Sequence, residues 1–355
     1  MKNKIKIAII GCGGIARAAH MKQYLKLTED YEIVAVCDVL PERAEQFARD
    51  HGIPAFYTDY KQVLDIEGLD AVDICTPNYL HSIIAVDALN HGLHVLCEKP
   101  DAVSVAEAKK MKEAAEKNGK LLMVIRNNRF LGQSKYLKQF IDDGKFGRIY
   151  AGRCGWQRRR GIPGKGGWFT TKALSGGGPL IDLGVHMIDL SIWLMGNPTP
   201  VAVSGSTYCE FANSDISDSE NSAFGDAKAD GVFDVEDLAM GYIKFDNGAC
   251  LQIEFSWASN VEKEDKFFEL RGTKAGASYH SSDDKLKIFT EEYGSTVDVV
   301  PNCAEISGHY GNIKNFADAL RGDAAPVFEP IQGLNMIKIL EAMYESARTG
   351  KEVTL

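Results

Sequence analysis

Asp182, His186 and Asp189 follow one another at four and then three residues in the stretch Gly176-Gly-Gly-Pro-Leu-Ile-Asp-Leu-Gly-Val-His-Met-Ile-Asp-Leu190. That spacing puts all three on one face of a helix. Pro179 suits the first turn of such a helix and Gly196 its stop. Ile181, Leu183, Val185, Met187, Ile188, Leu190, Ile192 and Leu194 make it apolar almost all round, the pattern of a buried helix. Ionisable groups are costly to bury without partners, so the polar line needs a reason. Spacing alone leaves two readings open: a core histidine held by two carboxylates, or a general base facing a substrate. Asp182 and His186 also have the i, i+4 spacing of paired metal ligands, but no third ligand is placed with them and no metal is expected.

A second group of residues has the form of a phosphate cradle. Gly11-Cys-Gly-Gly-Ile-Ala16 directly follows an apolar run and opens a helix. Gly11 permits the tight turn, Gly13 allows close approach of backbone to a pyrophosphate, and Ala16 allows close helix–strand packing. Gly14 and Ile15 lie in the first turn, whose amides face the phosphates. Asp38 ends the next apolar run at the distance a dinucleotide fingerprint requires. Its carboxylate accepts from both adenosine-ribose hydroxyls and repels a 2′-phosphate, which favours NAD over NADP. Val39 and Leu40 offer no cation to reverse this, and Arg43 stands one helical turn further on. Thr76-Pro-Asn-Tyr-Leu-His81 and Glu98-Lys-Pro100 end two later runs, at the edge where the reactive ring of such a cofactor lies. Glu98–Lys99 also reads as a solvated charge pair of little worth.

The elements that must carry these residues alternate in the first third. Ile5–Ile10, Ile33–Cys37, Val72–Cys75, His94–Cys97 and Leu121–Ile125 read as strands, and Pro41–Asp50, His81–His91 and Val105–Asn118 as helices. This alternation predicts a parallel sheet covered on both faces. After about Arg126 the pattern changes to Arg148–Arg159, Val201–Cys209, Leu238–Phe245, Ala249–Trp257 and Lys266–Leu270, with Asp246-Asn-Gly248 as a hairpin turn. An antiparallel sheet with one face against helices follows, its other face free to pack on a second subunit. Asn312–Leu320 and Leu334–Thr349 read as closing helices. The expected fold is α/β: a dinucleotide-binding domain over 1–125 and a substrate-binding and oligomerisation domain over 126–355.

Arg158, Arg159 and Arg160 end a strand before the glycine-rich loop Gly161–Gly178. They read either as a solvated cluster or as a polar arm over a hydroxyl-rich or carboxylate-bearing substrate, Arg158 and Arg160 being the candidate contacts. The loop's glycines suit a mobile lid or close backbone approach. Residues 210–237 hold nine acidic residues against Lys228 alone and read as a solvated surface insertion. Asp226-Ala-Lys-Ala-Asp-Gly231 resembles a calcium loop, but Lys228 occupies a ligand position. His309 and Tyr310 are further candidates for the active cleft.

Composition narrows the class. The 355 residues are 45% hydrophobic and 25% charged, with a net charge of −9, which argues against nucleic acid or an anionic membrane as partner. The basic start Met1–Ile10 is too short in apolar run for a signal peptide, and no segment is apolar enough to span a bilayer. The eight cysteines have no CxxC pairing, as in a reducing cytoplasm, where the protein is expected to reside.

Together GxGxxA at 11–16, Asp38, TPNxxxH at 76–81, EKP at 98–100 and GGGxxxDxGxHxxD at 176–189 resemble the Gfo/Idh/MocA family of nicotinamide-dependent oxidoreductases. The resemblance covers nearly the whole chain and implies a Rossmann domain followed by an α/β domain on a large, mostly antiparallel sheet. It implies that Lys99 is the catalytic lysine and that Asp182 and His186 are the family's DxxxH pair. It further implies that Gly11, Gly13, Gly14, Ile15, Ala16, Asp38, Thr76, Pro77, Asn78, His81, Glu98, Lys99, Asn127 and Trp168 serve the cofactor. The activity so implied moves a hydride between NAD and a secondary hydroxyl or ketone of a sugar, inositol or related polyol. The assembly so implied is a homodimer or homotetramer formed through the second sheet. Two alternatives stay open within the family: an NAD-dependent glycosidase acting by transient oxidation, and a non-catalytic nucleotide-bound sugar sensor. Asp189 is read as structural.

Overall fold

A computed structural model describes residues 3–355. The chain forms two compact units, one of residues up to Asn127 with Ser307–Leu334, the other of Asn128–Ile306 with Asn335–Leu355. The division departs from a single cut at 125/126 because Ser307–Leu334 returns to the first unit. Tyr31 donates from its hydroxyl to the Ile313 carbonyl, Arg126 N–H donates to Asn312, and Arg321 pairs with Asp30.

The first unit is built on six parallel strands: β1 Ile5–Ile10, β2 Tyr31–Cys37, β3 Phe56–Tyr57, β4 Ala71–Ile74, β5 His94–Cys97 and β6 Leu122–Val124. Their order, β3-β2-β1-β4-β5-β6, is that of a Rossmann sheet. Every residue of β4 and β6 is buried, as expected of strands covered on both faces. The strand β3 is too short to give a sequence signal. Because all strands run the same way, Gly11, Asp38, Thr76, Glu98 and Asn127 follow five strands out at one carboxyl edge.

The second unit holds nine strands: β7 Ile149–Gln157, β8 Pro200–Tyr208, β9 Leu238–Phe245, β10 Cys250–Ser256, β11 Asp265–Gly272, β12 Gly276–His280, β13 Lys285–Glu292, β14 Ser295–Val299 and β15 Val353–Thr354. They lie in the order β14-β13-β12-β11-β7-β10-β9-β8-β15. All neighbours are antiparallel except β10 on β7. The hairpin turn at 246–248 joins β9 to β10 as expected. The strands β12 to β14 and the helix Gly132–Asp142 were not foreseen.

One face of this sheet is apolar: Cys154, Ile243, Leu251, Ile253, Phe255, Phe268 and Leu270 are buried there. The segment Leu180–Leu194 packs on it, so closely that a Cβ on Gly184 would lie 3.3 Å from the Phe255 ring. The helix Pro330–Thr349 brings Met343 onto Gly205 and Gly241 in the same layer. The opposite face is open and mixed, with Tyr242 and Met240 exposed and Arg153 paired to Glu269. Among the described residues no helix is long and apolar enough to cross a membrane.

Candidate active site

In the first unit the glycine turn is dictated by sterics. Gly11 has φ +102°, and a Cβ there would lie 2.6 Å from the Cys75 carbonyl carbon. Gly13 is different: a Cβ on it would meet nothing of the protein within 4 Å. Its bareness serves no internal packing and leaves room for a ligand at the helix start, as a pyrophosphate needs. Asp38 is buried at the end of β2, accepting from Cys12 N–H at 2.9 Å and Leu40 N–H at 3.0 Å. Arg43, one helical turn further on, comes to 3.9 Å from its carboxylate.

At the ends of β4 and β6, Thr76 Oγ1 and Asn127 Oδ1 are buried with no hydrogen-bond partner among the described residues. Two such polar atoms at one carboxyl edge fit a polar ligand there. These residues and Gly13 therefore suit a dinucleotide. His81 is occupied internally. Its Nδ1 lies 2.7 Å from the Pro100 carbonyl and its Nε2 2.9 Å from that of Thr76, tying the two strand-end loops together. Burial outweighs both carbonyls and lowers its pKa. Asn78 is buried and Pro77 partly exposed in the same loop.

Glu98 is buried, and its carboxylate is fully engaged. One oxygen lies 2.7 Å from His20 Nε2 and 3.4 Å from His309 Nε2, and the other accepts from Lys99 N–H at 3.0 Å. Burial works against ionisation, but the two imidazoles hold Glu98 well below the usual carboxylate range. His20 had no place in the sequence reading. Its signal was an ionisable residue on the helix that follows a GxGxxA turn.

In the second unit a π-helical turn, Leu180–Gly184, runs into the α-helix Val185–Leu194. Such turns are rare and recur at functional sites. Asp189 is buried and forked on Arg129, with N–O distances of 2.8 and 2.7 Å. Asp182 and His186 are only partly buried. Asp182 accepts from the indole N–H of Trp257 at 3.0 Å, and the His186 ring lies 6.0 Å from that of Trp156. The one polar line thus has two environments.

The helix start explains the glycine triplet. Glu236 is buried and accepts from Gly178 N–H at 3.0 Å, Leu180 N–H at 3.1 Å and the Tyr344 hydroxyl at 3.0 Å. A Cβ on Gly178 would lie 1.9 Å from the Glu236 carbonyl, and one on Gly177 1.9 Å from the Tyr344 hydroxyl. Glu236 caps the amides that a helix start leaves unpaired, and its charge complements the helix dipole. The sequence reading placed it in a solvated insertion. Much of 210–237 is exposed, but Val235, Glu236 and Asp237 are buried.

The glycine-rich loop and the acidic segment form one body. Lys228 N–H donates to Lys165, Thr170 Oγ1 to Val232, and Lys172 N–H to Asp234. A Cβ on Gly166 or Gly167 would run into the Lys228 or Asp226 carbonyl. Of the two readings of its glycines, close backbone approach is the one seen. Trp168 stacks on Phe169 at 3.8 Å, and Phe169 sits edge-on to Trp257.

The two arginines separate. Arg158 is buried with its guanidinium 5.3 Å from the Trp156 ring, and its Nε has no hydrogen-bond partner among the described residues. Burial lowers its pKa, and the nearby Asp182 charge opposes that. Arg160 is turned to Ser259 and Asn260 and lies over Phe211.

Known proteins agree with this fold. Residues 5–126 match the oxidoreductase family with an NAD-binding Rossmann fold, and residues 138–355 match the C-terminal α/β domain of the same family. A D-glucoside 3-dehydrogenase of Escherichia coli is 31% identical, over 99% of this chain and 97% of that protein. An NAD⁺-dependent scyllo-inositol 2-dehydrogenase of Bacillus subtilis is 27% identical, over 100% and 97%. The fold superposes with TM-score 0.86 on a levoglucosan dehydrogenase solved with NADH and levoglucosan, at 24% identity and 99% coverage of both chains. The chain therefore belongs to the Gfo/Idh/MocA family of oxidoreductases, with an NAD-binding Rossmann domain and that family's C-terminal α/β domain.

Proposed function

We propose that this oxidoreductase acts on a secondary hydroxyl of a sugar, glycoside or cyclic polyol, with His186 as general base. The observation that carries the reading is the split along one helix face. Asp189 is closed off by Arg129, whereas His186 and Asp182 are partly exposed beside Trp156, Trp257 and Arg158. Partial exposure lets an imidazole exchange a proton with a ligand, and flat aromatic walls suit a sugar ring. The relatives named for glucosides, inositol and levoglucosan support the substrate class.

NAD⁺, when bound, supplies the hydride acceptor. Gly13 and the amides of the following turn hold its pyrophosphate, Asp38 its adenosine ribose, and Thr76, Asn78, Glu98 and Asn127 its other half. Gly11, Gly14, Ile15, Ala16, Pro77 and His81 shape that surface, and Trp168 is assigned to the nicotinamide side. His186 takes the hydroxyl proton, Lys99 donates to the oxygen as it becomes negative, and Asp182 orients the imidazole or a neighbouring hydroxyl. Arg158 contacts the substrate; Arg160 is the weaker candidate for that role. We further propose cytoplasmic residence and a homodimer or homotetramer through the open face of the second sheet.

The test is an absorbance screen for NADH formation against glucosides, free sugars, inositols and anhydrosugars, with NAD⁺ and then NADP⁺. Turnover of a member of this panel is expected, and its loss in His186→Ala with NAD binding intact. Tight NAD binding without turnover across the panel would instead favour a sugar sensor. Release of aglycone without NADH accumulation would favour redox-assisted glycoside cleavage.

A further inference from the structure

His20 lies on a π-helical turn, Ala16–His20, and is wholly buried. Its Nδ1 is 2.7 Å from Asp73 Oδ2 and its Nε2 is 2.7 Å from Glu98 Oε1. Asp73 is buried on β4, and Tyr24 donates to the same Asp73 oxygen at 2.9 Å. Glu98 follows β5 and accepts from Lys99 N–H, while His309 approaches the oxygen that His20 holds. Gly308 makes that approach feasible, since a Cβ there would lie 2.2 Å from the Asn127 carbonyl. All of these residues belong to the first unit.

The set His20, Glu98 and His309 has the composition of a metal site. Its spacing says otherwise. Ligand atoms held at about 2.0–2.1 Å around a tetrahedral zinc stand roughly 3.3 Å apart. At 2.7 Å the His20–Glu98 contact is a charge-assisted hydrogen bond. Both ring nitrogens of His20 face carboxylate oxygens, so both must carry protons for both bonds to form.

We infer that His20 is a positioning residue of the cofactor edge: an imidazolium clamped between Asp73 and Glu98 that fixes the Glu98 carboxylate, and through it the main chain of Lys99. Burial disfavours the charge, but the groups around the ring, Asp73 first among them, together outweigh it and hold the His20 pKa well above its usual value. The groups facing His20 are Asp73, Cys75, Glu98, Tyr24 and His309, and Cys75 is a neutral thiol because burial lifts its pKa to about 12. The functional part of this inference rests on the role proposed for Lys99.

The experiment separates positioning from plain structural support. His20→Gln leaves two buried carboxylates without their cation, and it should lower Tm. His20→Gln with Asp73→Asn removes one negative charge together with the positive one, and it should recover most of the lost Tm. If His20 positions the edge, the double variant still binds NADH about ten-fold more weakly by fluorescence titration. Its kcat/KM for NAD⁺ is then roughly 10- to 100-fold down, as a small misplacement of a catalytic group produces. Wild-type NADH affinity and kcat/KM in a stable double variant would overturn the inference. So would stoichiometric zinc in the purified enzyme that is lost in His309→Gln. NADH affinity needs no substrate, so it reads this inference even if the proposed substrate class is wrong.

Discussion

The carboxyl edge of the first sheet and the helix Val185–Leu194 both bring ionisable side chains out of water, but they settle them differently. At the sheet edge His20 stands between Asp73 and Glu98, and Glu98 also meets His309. On the helix the burial stops part-way. Arg129 closes Asp189, whereas Asp182 and His186 remain partly exposed against tryptophans. A group whose partners are all built into the fold holds geometry, and one left at a half-open position can exchange a proton. On the roles proposed above, the contrast is between residues that would place the chemistry and residues that would perform it.

The largest expected effect tests the open half. His186→Ala should lower kcat by roughly 10²–10⁴ while NADH affinity stays within two-fold or so of wild type. A variant that instead loses stability with normal turnover per folded molecule would make His186 a core residue and erase the contrast. Asp189→Asn should do the reverse. It leaves the Arg129 guanidinium buried without its counter-charge, a cost of about 3–5 kcal/mol in denaturant unfolding, with kcat per folded molecule little changed.

The next two variants sharpen the comparison within each unit. Lys99→Met should reduce kcat by roughly 10²–10³ without weakening NADH binding, if its ammonium meets charge only as the reaction develops. Glu236 offers a pH test. Burial raises its pKa above the usual 4.5, despite the amides of Gly178 and Leu180 and the Tyr344 hydroxyl that favour the charge. A carboxyl whose folded pKa is raised contributes stability that is fully present below its unfolded pKa and lost as pH rises through the folded one. Wild type should therefore lose stability relative to Glu236→Gln as pH rises from about 4.5. Paired Tm measurements across that range check it, and parallel curves would refute the assignment. The smallest effect is on cofactor choice. Asp38→Ser should shift preference towards NADP⁺ by about ten-fold in kcat/KM, because Arg43 already lies close enough to meet a 2′-phosphate.

Much of this is legible in the sequence. The strand–GxGxxA–helix sequence, Asp38 and the alternation of apolar runs lead to the parallel sheet, since each depends on contacts local in the chain. The polar line of the 179–195 segment is likewise a matter of spacing. What was not legible at these sites has one cause, which is that the partner lies far away in sequence. Arg129 for Asp189, Trp257 for Asp182, Glu236 for Gly178 and His20 for Glu98 are separated by 58 to 78 residues. Strands β13 and β14 went unread for a different reason: at least half of Lys285–Glu292 and of Ser295–Val299 is exposed, which leaves a weak apolar alternation.

Residue types and local spacing by themselves determined the family's motifs, the Rossmann order of elements and the presence of a histidine flanked by two aspartates. Only the tertiary structure decided which aspartate is closed by a guanidinium and which stays partly exposed near His186. Helical periodicity places Asp182 and Asp189 on the same face with His186 and cannot tell them apart. The difference comes from Arg129 at one end of that face and Trp257 at the other. The energy of a buried charge is set by what lies within a few ångströms in space, whatever its distance along the chain.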